Sequence, residues 1–337
     1  MCKLCDIYNA KEDAPPSPID EHDFNRVSNG VWIGEYTVDN LPKDLYMKTA
    51  QFLNDGVSVG WNIPNKEYLA ELEQNIYLFS GAKTYQQVRA YSDLLANDEL
   101  RTNFYKFKDA VKPIFHDYND AYLRTEYDTA KASARMAAGW QQIVDESDVL
   151  PLLQYQTVGD GRVRPTHAAL DNIIRPVNDK FWTNYYPPNG WNCRCHVQQL
   201  ESGDVTNLQG WLKPDDVPPE FMMNSGIDKY IFKEKGVGKH PYFSVAKKDK
   251  ELAKKNFNLP LPEKPKTFEP AKNIDEATNR LKSKGIDVYA SSMKIEHLNK
   301  ILEATENVPQ KALPTKVFDK AGYEKWFGRK INRKANE

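Results

Sequence analysis

Cysteines and long apolar runs are scarce in this sequence. Its four cysteines among 337 residues stand in two close pairs, Cys2 with Cys5 and Cys193 with Cys195, which does not resemble the framework of a disulfide-stapled secreted domain. No run approaches the roughly 20 apolar residues that a membrane-spanning helix needs. The N-terminus has no apolar segment behind a basic start, so we expect no signal peptide and no membrane association. These absences favour synthesis in a reducing cytoplasm.

Two common catalytic motifs are also missing. The sequence has no H-E-x-x-H pattern and no Walker-type phosphate loop, which argues against a zincin protease and a P-loop nucleotidase. A Cys/His nucleophilic pair would need a geometry that the sequence does not reveal. We therefore expect a protein that is not an enzyme, and keep a zinc-dependent enzyme as a minor alternative.

Charge is nearly balanced over the whole chain but unevenly placed. The net charge is −1; residues 1–227 contain 21 Lys and Arg against 32 Asp and Glu, and residues 228–337 contain 25 against 15. The first part therefore carries −11 and the second +10. A basic C-terminal part suits contact with nucleic acid or with an acidic protein surface. The alternative is a solvated lysine-rich face, since Glu and Asp interleave with the lysines.

The first hundred residues predict an arm followed by helices. Residues 1–40 lack a helical period and contain the PPSP run, which favours an extended arm. From Pro42 the apolar spacing is helical until GVSVGWNIPN, residues 56–65, breaks it. Apolar residues three and four positions apart then predict a second helix over residues 66–79 and a third near residues 88–95.

The clearest predicted element is one long amphipathic helix over residues 112–145. Its stripe comprises Phe115, Tyr118, Tyr122, Thr125, Thr129, Ala132, Met136, Trp140 and Ile143, which step by three or four residues. We expect this stripe to be buried. The alanine-rich middle of the helix permits a close approach of another helix. Arg124 and Glu126 are either a polar site or an ordinary surface or interhelix pair.

After this helix the period changes to that of strands. LLQYQTV (152–158) and CRCHVQQL (193–200) alternate as strands do, with turn residues and a short helix opening at Pro165 between them. We predict a small α+β unit docked on the long helix, and α+β as the class of the whole chain. The predicted organisation is an extended arm (1–40), a helical region (41–145), the α+β unit (146–205), an irregular Pro-rich connection (206–262) and a basic helical tail (263–337).

The segment from Val158 to Cys195 is the most distinctive part of the sequence. It combines a basic turn, Arg-Pro-x-His, a Phe-Trp pair, Pro-Pro-Asn-Gly and Cys-x-Cys. Together with AYLRTEYDTAKASARMAAGWQQI upstream, it resembles the head-morphogenesis domain of the phage Mu F-like family, the minor head proteins of tailed phages, over roughly residues 112–200. The residues that carry the resemblance are Arg164, Pro165, His167, Asp171, Phe181, Trp182, Pro188, Trp191 and Arg194.

The resemblance implies a structural component of the virion. It implies assembly at the portal-proximal region of the procapsid, with phage portal, capsid or scaffold proteins as partners. It also implies the host cytoplasm as the place of assembly, and the head interior or the portal vertex as the final location. In some relatives it implies contact with packaged DNA. Domains of this kind also precede toxin domains, so the alternative is a carrier module that delivers a C-terminal effector encoded by a prophage.

The Cys193-x-Cys195 pair is a candidate metal site. On a strand, residues two apart face the same side, so both sulfurs would reach one ion. Zinc needs four N, S or O ligands in a tetrahedral arrangement. His167 would be the third ligand, and Asp171 or His196 the fourth, although His196 would point to the opposite face of the strand. The sequence therefore predicts zinc as a candidate cofactor and indicates no other.

Two alternatives to this ligand set stay open. Cys2-x-x-Cys5 has knuckle spacing and could complete a four-cysteine site. Cys193 and Cys195 could instead be small packed residues, with the imidazole of His167 bonded to a backbone carbonyl. A disulfide within Cys-x-Cys is disfavoured, since the short loop strains the bond.

Arginines and aromatic residues surround the same motif. Arg162, Arg164, Arg175 and Arg194 have guanidinium forks that suit carboxylates or phosphates, and the alternative is a set of internal salt bridges to Asp160, Asp171 and Asp179. The aromatic residues are expected to be core rather than a ligand platform, because large rings usually carry packing; they are Phe181, Trp182, Tyr185, Tyr186 and Trp191.

The C-terminal tail ends in basic residues around an aromatic pair. The candidate DNA- or partner-binding residues are Lys325, Trp326, Arg329, Lys330, Arg333 and Lys334. The competing interpretation is docking on a portal or scaffold protein through Trp326, Phe327 and Ile331, with the lysines serving solubility.

Overall fold

Helices build the N-terminal part of the chain. The computed structural model describes residues 14–209, 217–263, 269–289, 293–305 and 313–318, and the chain divides into two compact units, residues 1–265 and 266–337. The helices that come first are α1 (Glu21–Trp32), α2 (Lys43–Gly60), α3 (Lys66–Leu94), α4 (Asp98–Thr102), α5 (Phe104–His116) and α6 (Tyr122–Asp145), and a π-turn, Asp117–Ala121, joins α5 to α6.

The extended arm predicted for residues 1–40 is wrong within the described residues, because α1 lies there. Its start is a capping box: the Asp20 carboxylate accepts hydrogen bonds from the backbone N–H groups of the first turn, and the Asp23 carboxylate accepts one from Asp20 N at 3.2 Å. Phe24, Val27 and Val31 form the buried face of the helix. The apolar positions are few, so the polar residues between them hid the helical period.

The break predicted at residues 56–65 begins too early, because α2 continues through Gly60. A Cβ on Gly56 would lie 3.0 Å from the backbone oxygen of Tyr127, and one on Gly60 would lie 3.0 Å from the Cβ of Ala134. The two glycines therefore let the α2 backbone lie directly against α6. The close helix approach predicted from the alanine-rich middle of α6 is confirmed.

Residues 56–60 also spell G-x-S-x-G, the pattern of a hydrolase nucleophile elbow. That elbow requires a sharp turn from a strand into a helix. Here the whole pattern lies inside α2, and Ser58 Oγ donates a hydrogen bond back to Asn54 O at 3.0 Å. The pattern serves helix packing in this protein.

The helices predicted at residues 66–79 and near residues 88–95 are a single helix, α3, of 29 residues. The Asn65 side chain caps its first turn by accepting a hydrogen bond from Tyr68 N at 3.0 Å. Near its middle, a Cβ on Gly81 would clash with Asn256 Oδ1. Gly81 is therefore a close-packing position within one continuous helix.

The long helix predicted over residues 112–145 is helical throughout and contains the π-turn. After Phe115 the buried positions are Asn119 and Leu123, whereas Tyr122 is 47% exposed. The burial predicted for Tyr122 is therefore wrong. A π-turn holds more residues than an α-turn, and the buried face consequently moves one position along the sequence.

A three-stranded sheet follows α6 and confirms the α+β class. Its strands are β1 (Leu152–Gln156), β2 (Ile174–Pro176) and β3 (His196–Leu200), in the order β2-β1-β3 and antiparallel throughout. In the central strand, Leu153 lies opposite Arg175 on one side and Gln199 on the other. Two short helices, α7 (Pro165–Ala168) and α8 (Phe181–Tyr185), lie in the connections. The three-residue strand β2 was too short to be predicted.

Helix α6 belongs to two hydrophobic cores. Its N-terminal half, including Leu123 and Ala130, packs with α1, α2 and α3. Its C-terminal half, with Met136 and Trp140, packs with the sheet. Trp140 meets Tyr186 edge-on, with 4.9 Å between ring centroids. The predicted docking of the α+β unit on the long helix is confirmed by this shared packing.

The region from 206 to 262 was predicted as a connection, and its described residues, 206–209 and 217–262, are irregular but contribute to the core. Phe232 stacks on Phe79 with 3.8 Å between centroids, and Phe257 stacks on Tyr85 with 4.8 Å. Its elements are 3₁₀ turns at Pro219–Phe221, Pro241–Phe243, Lys247–Asp249 and Asn256–Asn258, with α9 (Ser225–Asp228) and α10 (Lys250–Lys254) between them. The segment therefore closes over the helices instead of linking two domains.

The second unit has a small core of its own within its described residues. It contains α11 (Ile274–Ser283), β4 (Asp287–Tyr289), α12 (Ile295–Ala304) and β5 (Lys316–Phe318), and β4 pairs with β5 in parallel. Leu281, Ile286 and Leu302 are buried between these elements. None of the helices in the described ranges combines the length and the apolar character that crossing a bilayer demands.

A buried ion pair joins α3 to α6. Lys83 Nζ donates to Glu126 Oε2, and the two residues are only 1% and 2% exposed. Burial lowers the pKa of Lys83 and raises that of Glu126, while each charge partly offsets the effect on the other. The pairing of Glu126 with Arg124 that the sequence suggested is wrong, because the partner of Glu126 is Lys83. Lys83 follows Phe79 by four residues and so lies on the apolar face of α3. This position in the sequence was the signal that Lys83 is buried and needs a partner of opposite charge.

His240 and Tyr242 line the same buried region. Burial, assisted by the nearby Lys83 ammonium, lowers the pKa of His240 to about 3, so this imidazole is neutral at pH 7. Burial and the Glu126 carboxylate raise the pKa of Tyr242. Together with Glu126, these two side chains line a cavity of about 420 Å³. The charged pair thus lies beneath the irregular segment.

The first prediction concerns Trp140, which is 6% exposed. Trp140→Ala should lower the free energy of unfolding by about 3–5 kcal/mol, because it removes a large side chain at the sheet core. Urea denaturation followed by circular dichroism measures the change. Tyr105→Ala is the matched control, since Tyr105 is 80% exposed and should change stability little. Equal effects of the two substitutions would contradict the packing described.

The second prediction concerns the buried pair. Lys83→Met or Glu126→Leu alone should destabilise the protein by about 3–5 kcal/mol, because the partner's charge is left buried without compensation. The double variant Lys83→Met/Glu126→Leu should be far less destabilised than the sum of the two single changes.

The exposed pair Asp98 with Arg101 supplies the control cycle for the buried pair. Neutralising either of its members should have little effect, since water solvates the remaining charge. Strict additivity at Lys83 and Glu126 would show that the two charges are not coupled.

Candidate metal centre

Three side chains of the distinctive motif converge beside the sheet. His167 lies on α7, whose first residue is Pro165, and this short helix follows β1. Cys193 and Cys195 lie in the turn that immediately precedes β3. The strand position predicted for the two cysteines is therefore wrong, but their sulfurs still point the same way. The turn, which includes Asn192 with a φ of 56°, achieves the convergence that the strand alternation was expected to give.

The distances within this cluster are short. His167 Nδ1 lies 3.7 Å from Cys193 Sγ and 3.5 Å from Cys195 Sγ. All three candidate ligand atoms lie within 4.8 Å of one another. His167 and Cys195 are buried and Cys193 is partly buried, and neither cysteine forms a disulfide. These distances confirm the prediction that both sulfurs lie near His167.

A second layer of hydrogen bonds holds the imidazole. His167 Nε2 lies 3.2 Å from Asn189 O. A carbonyl oxygen only accepts hydrogen bonds, so Nε2 carries the proton and Nδ1 presents its lone pair to the sulfurs. The Tyr155 hydroxyl donates to Asn189 Oδ1 at 2.9 Å and fixes that residue in turn. The alternative of an imidazole bonded to a backbone carbonyl is thus correct for Nε2 and compatible with a metal at Nδ1.

The two thiols are electrostatically unequal. The Cys195 thiol is hydrogen-bonded to the Cys193 sulfur, which lowers the pKa of Cys193 and, with burial, raises that of Cys195. The His167 imidazole further lowers the pKa of Cys193. Cys193 is therefore the sulfur that loses its proton more easily.

The two candidates for a fourth ligand lie elsewhere. Asp171 Oδ1 accepts hydrogen bonds from Thr157 N at 2.7 Å and from Thr157 Oγ1 at 3.0 Å. His196 begins β3, and burial lowers the pKa of its imidazole. Among the described residues, no fourth His, Cys, Asp or Glu joins the cluster. Cys2 and Cys5 lie outside the described residues.

The arginines of the motif turn to neighbouring protein groups. Arg194 pairs with both oxygens of Asp160 at 2.7 Å, and this guanidinium lowers the pKa of the carboxyl. Arg162 also contacts Asp160, at 3.4 Å. The remaining contacts are Arg175 with Asp179 at 2.5 Å and Arg164 with Trp191 O at 2.5 Å. These contacts favour the salt-bridge alternative, with Asp160 and Asp179 as the acids.

The aromatic residues of the motif are mainly packing residues, as predicted. Phe181 and Trp182 are buried, and Trp182 Nε1 donates to Pro176 O at 3.0 Å. Pro188 of the same motif is buried as well. Trp191 is partly buried and meets Phe221 edge-on. The tail candidates Lys325, Trp326, Phe327, Arg329, Lys330, Ile331, Arg333 and Lys334 lie outside the described residues.

Comparisons with known proteins fall on this part of the chain. Residues 82–198 match the family described as Phage Mu protein F like protein. The chain is 42% identical over 86 residues to the putative capsid assembly protein F of Escherichia phage Mu, which covers 26% of this chain and 20% of that protein. It is 41% identical over 110 residues to the Mu-like prophage FluMu F protein of Haemophilus influenzae, covering 32% and 26%.

The extent of these matches is limited. The chain spans between a fifth and about a quarter of the length of these curated relatives, and no solved structure gives a significant match. The family match begins at residue 82, thirty residues before the resemblance found in the sequence. It includes His167, Cys193 and Cys195. The part of the chain that matches the Phage Mu protein F like family therefore includes α6, most of the sheet and the candidate metal centre.

Proposed function

We propose that this protein is a structural component of phage heads, a minor head protein that acts in procapsid morphogenesis near the portal. The observation that carries the proposal is the match of residues 82–198, supported by the name of the phage Mu relative, a putative capsid assembly protein. The protein would be made in the host cytoplasm and built into the head interior or the portal vertex. Portal, capsid or scaffold proteins would be its partners.

The matched region includes the main packing elements of the first unit. It runs from the second half of α3 through α6 to β3. This stretch contains the helix that both cores share and the Lys83–Glu126 pair. What the chain has in common with the relatives is therefore the rigid framework of the first unit.

The competing function is delivery of a C-terminal effector. The observation that bears on it is the division of the chain at residue 265, after which residues 266–337 form a compact unit. Neighbouring genes distinguish the two functions. Portal and terminase genes beside the coding sequence favour morphogenesis, whereas an immunity gene directly downstream favours a toxin carrier.

The third prediction tests morphogenesis directly. Deleting the gene from an inducible phage that encodes it should greatly reduce the number of DNA-filled heads, because a protein needed for head assembly is then missing. Electron microscopy of induced lysates counts filled and empty heads, and tails serve as the internal reference. A normal number of filled heads after deletion would remove the proposed role.

Complementation sharpens this experiment. The wild-type gene and Tyr105→Ala should both restore filled heads. Trp140→Ala should restore fewer filled heads when the host is grown at an elevated temperature, since that variant is destabilised.

Cross-linking in purified procapsids tests the position of the protein. Cross-links to the portal protein support a portal-proximal site, and cross-links confined to shell subunits away from the vertex contradict it.

The fourth prediction concerns the basic tail. If the tail contacts packaged DNA, the full chain should bind duplex DNA without sequence preference, and the affinity should fall steeply with salt because phosphate contacts release counterions. Neutralising Lys325, Arg329, Lys330, Arg333 and Lys334 together should weaken binding and flatten the salt slope. Gel shifts across a salt series measure both effects.

A matched control comes from the first unit, where five exposed lysines can be neutralised in the same way: Lys247, Lys248, Lys250, Lys254 and Lys255. This control variant removes an equal charge and should keep most of the binding. No retardation of DNA by the wild-type chain even at low salt would leave protein docking through Trp326, Phe327 and Ile331 as the role of the tail.

A further inference from the structure

The spacing of His167, Cys193 and Cys195 matches that of ligands around one tetrahedral ion. With Zn–S bonds of about 2.3 Å and Zn–N bonds of about 2.0–2.1 Å, a tetrahedral angle places S and N about 3.6 Å apart. The observed Nδ1–Sγ distances are 3.7 Å and 3.5 Å. Both N–S distances are therefore those expected around one ion, and all three ligand atoms lie within 4.8 Å of one another.

The surroundings of the cluster prepare the imidazole for a metal. Metal-bound histidines generally donate their other N–H to a carbonyl or carboxylate, which fixes the tautomer and the ring orientation. His167 does this through Nε2, which donates to Asn189 O at 3.2 Å. Its Nδ1, which faces both sulfurs, is then the nitrogen with a lone pair. Tyr155 holds Asn189 from the other side.

The donor set selects the kind of ion. Two thiolates and an imidazole are soft and borderline ligands, which suit zinc and not the oxygen-seeking Mg²⁺ or Ca²⁺. The cluster is almost closed to solvent, since His167 and Cys195 are buried. Arg194 points away from the sulfurs to Asp160, so its charge does not occupy the site.

We propose that His167 Nδ1, Cys193 Sγ and Cys195 Sγ bind one Zn²⁺ ion that ties the turn before β3 to helix α7. The ligands are 26 and 28 residues apart in sequence, so the ion closes a long loop around β2 and α8 and stabilises the folded unit directly. Asp171 is already bonded to Thr157. The fourth position is therefore assigned to a solvent molecule.

The fifth prediction is the metal content of the full chain purified without an affinity tag. Mass spectrometry of the metal should find about one zinc per chain, because the three candidate ligand atoms form a single cluster. His167→Ala, Cys193→Ser and Cys195→Ser should each bring this below about a tenth of an equivalent. Wild-type protein with less than about a tenth of an equivalent, and with an unchanged melting temperature in chelator, would overturn the proposal.

Three controls separate ligation from folding. Arg194→Gln changes the residue between the two cysteines and should keep its zinc, and so should Asp171→Asn. Cys2→Ser/Cys5→Ser should also keep it; loss of zinc in that variant would overturn the assignment of the fourth position to solvent.

Spectroscopy tests the wild type in case the cysteine variants do not fold. Co²⁺ substituted into the protein should give the intense visible bands of a tetrahedral site together with thiolate-to-cobalt charge transfer. An octahedral spectrum without charge transfer would contradict the proposed ligands. A Cys193–Cys195 disulfide found by mass spectrometry in freshly purified protein would contradict them as well. Neither result depends on the proposed role in head assembly.

Discussion

The packing of one helix, α6, against two different partners is the constraint on which the first unit depends. Its N-terminal half lies against α2 where Gly56 and Gly60 remove side-chain bulk, and its C-terminal half carries Trp140 into the core of the sheet. Neither the helices nor the three short strands could bury their apolar faces without it, since a sheet this small needs a covering layer. The region that matches the Phage Mu protein F like family contains this helix entirely.

The buried Lys83–Glu126 pair adds specificity where the irregular segment closes over the helices. An ion pair in the interior gains little net stability over apolar residues of the same shape, but breaking it is strongly unfavourable. Alignments of α3 and α6 that separate the two charges are therefore strongly disfavoured. His240 and Tyr242 cover it, and the His240 imidazole stays neutral at pH 7 because burial and the Lys83 charge oppose its protonation.

The candidate metal centre depends on the same framework. β1 delivers Tyr155, the Pro187–Gly190 turn delivers Asn189, and the turn before β3 delivers both cysteines. Each is held by hydrogen bonds to another member, so contacts within the chain bring the three donor atoms of His167, Cys193 and Cys195 together. The site also depends on the sheet register, because a shift of one residue would turn Tyr155, which holds Asn189, to the opposite face of the sheet.

The sequence alone determined the α+β class, the long helix, two of the strands around the sheet and the grouping of His167 with the two cysteines, because these rest on local periodicity and motif chemistry. Tertiary structure decided the rest. The π-turn moved the buried face from Tyr122 to Leu123, α1 formed around a buried face of only three apolar residues, and Glu126 found its partner 43 residues away in Lys83. Such pairings depend on which faces meet after folding, and a helical or strand period carries no information about the opposing element.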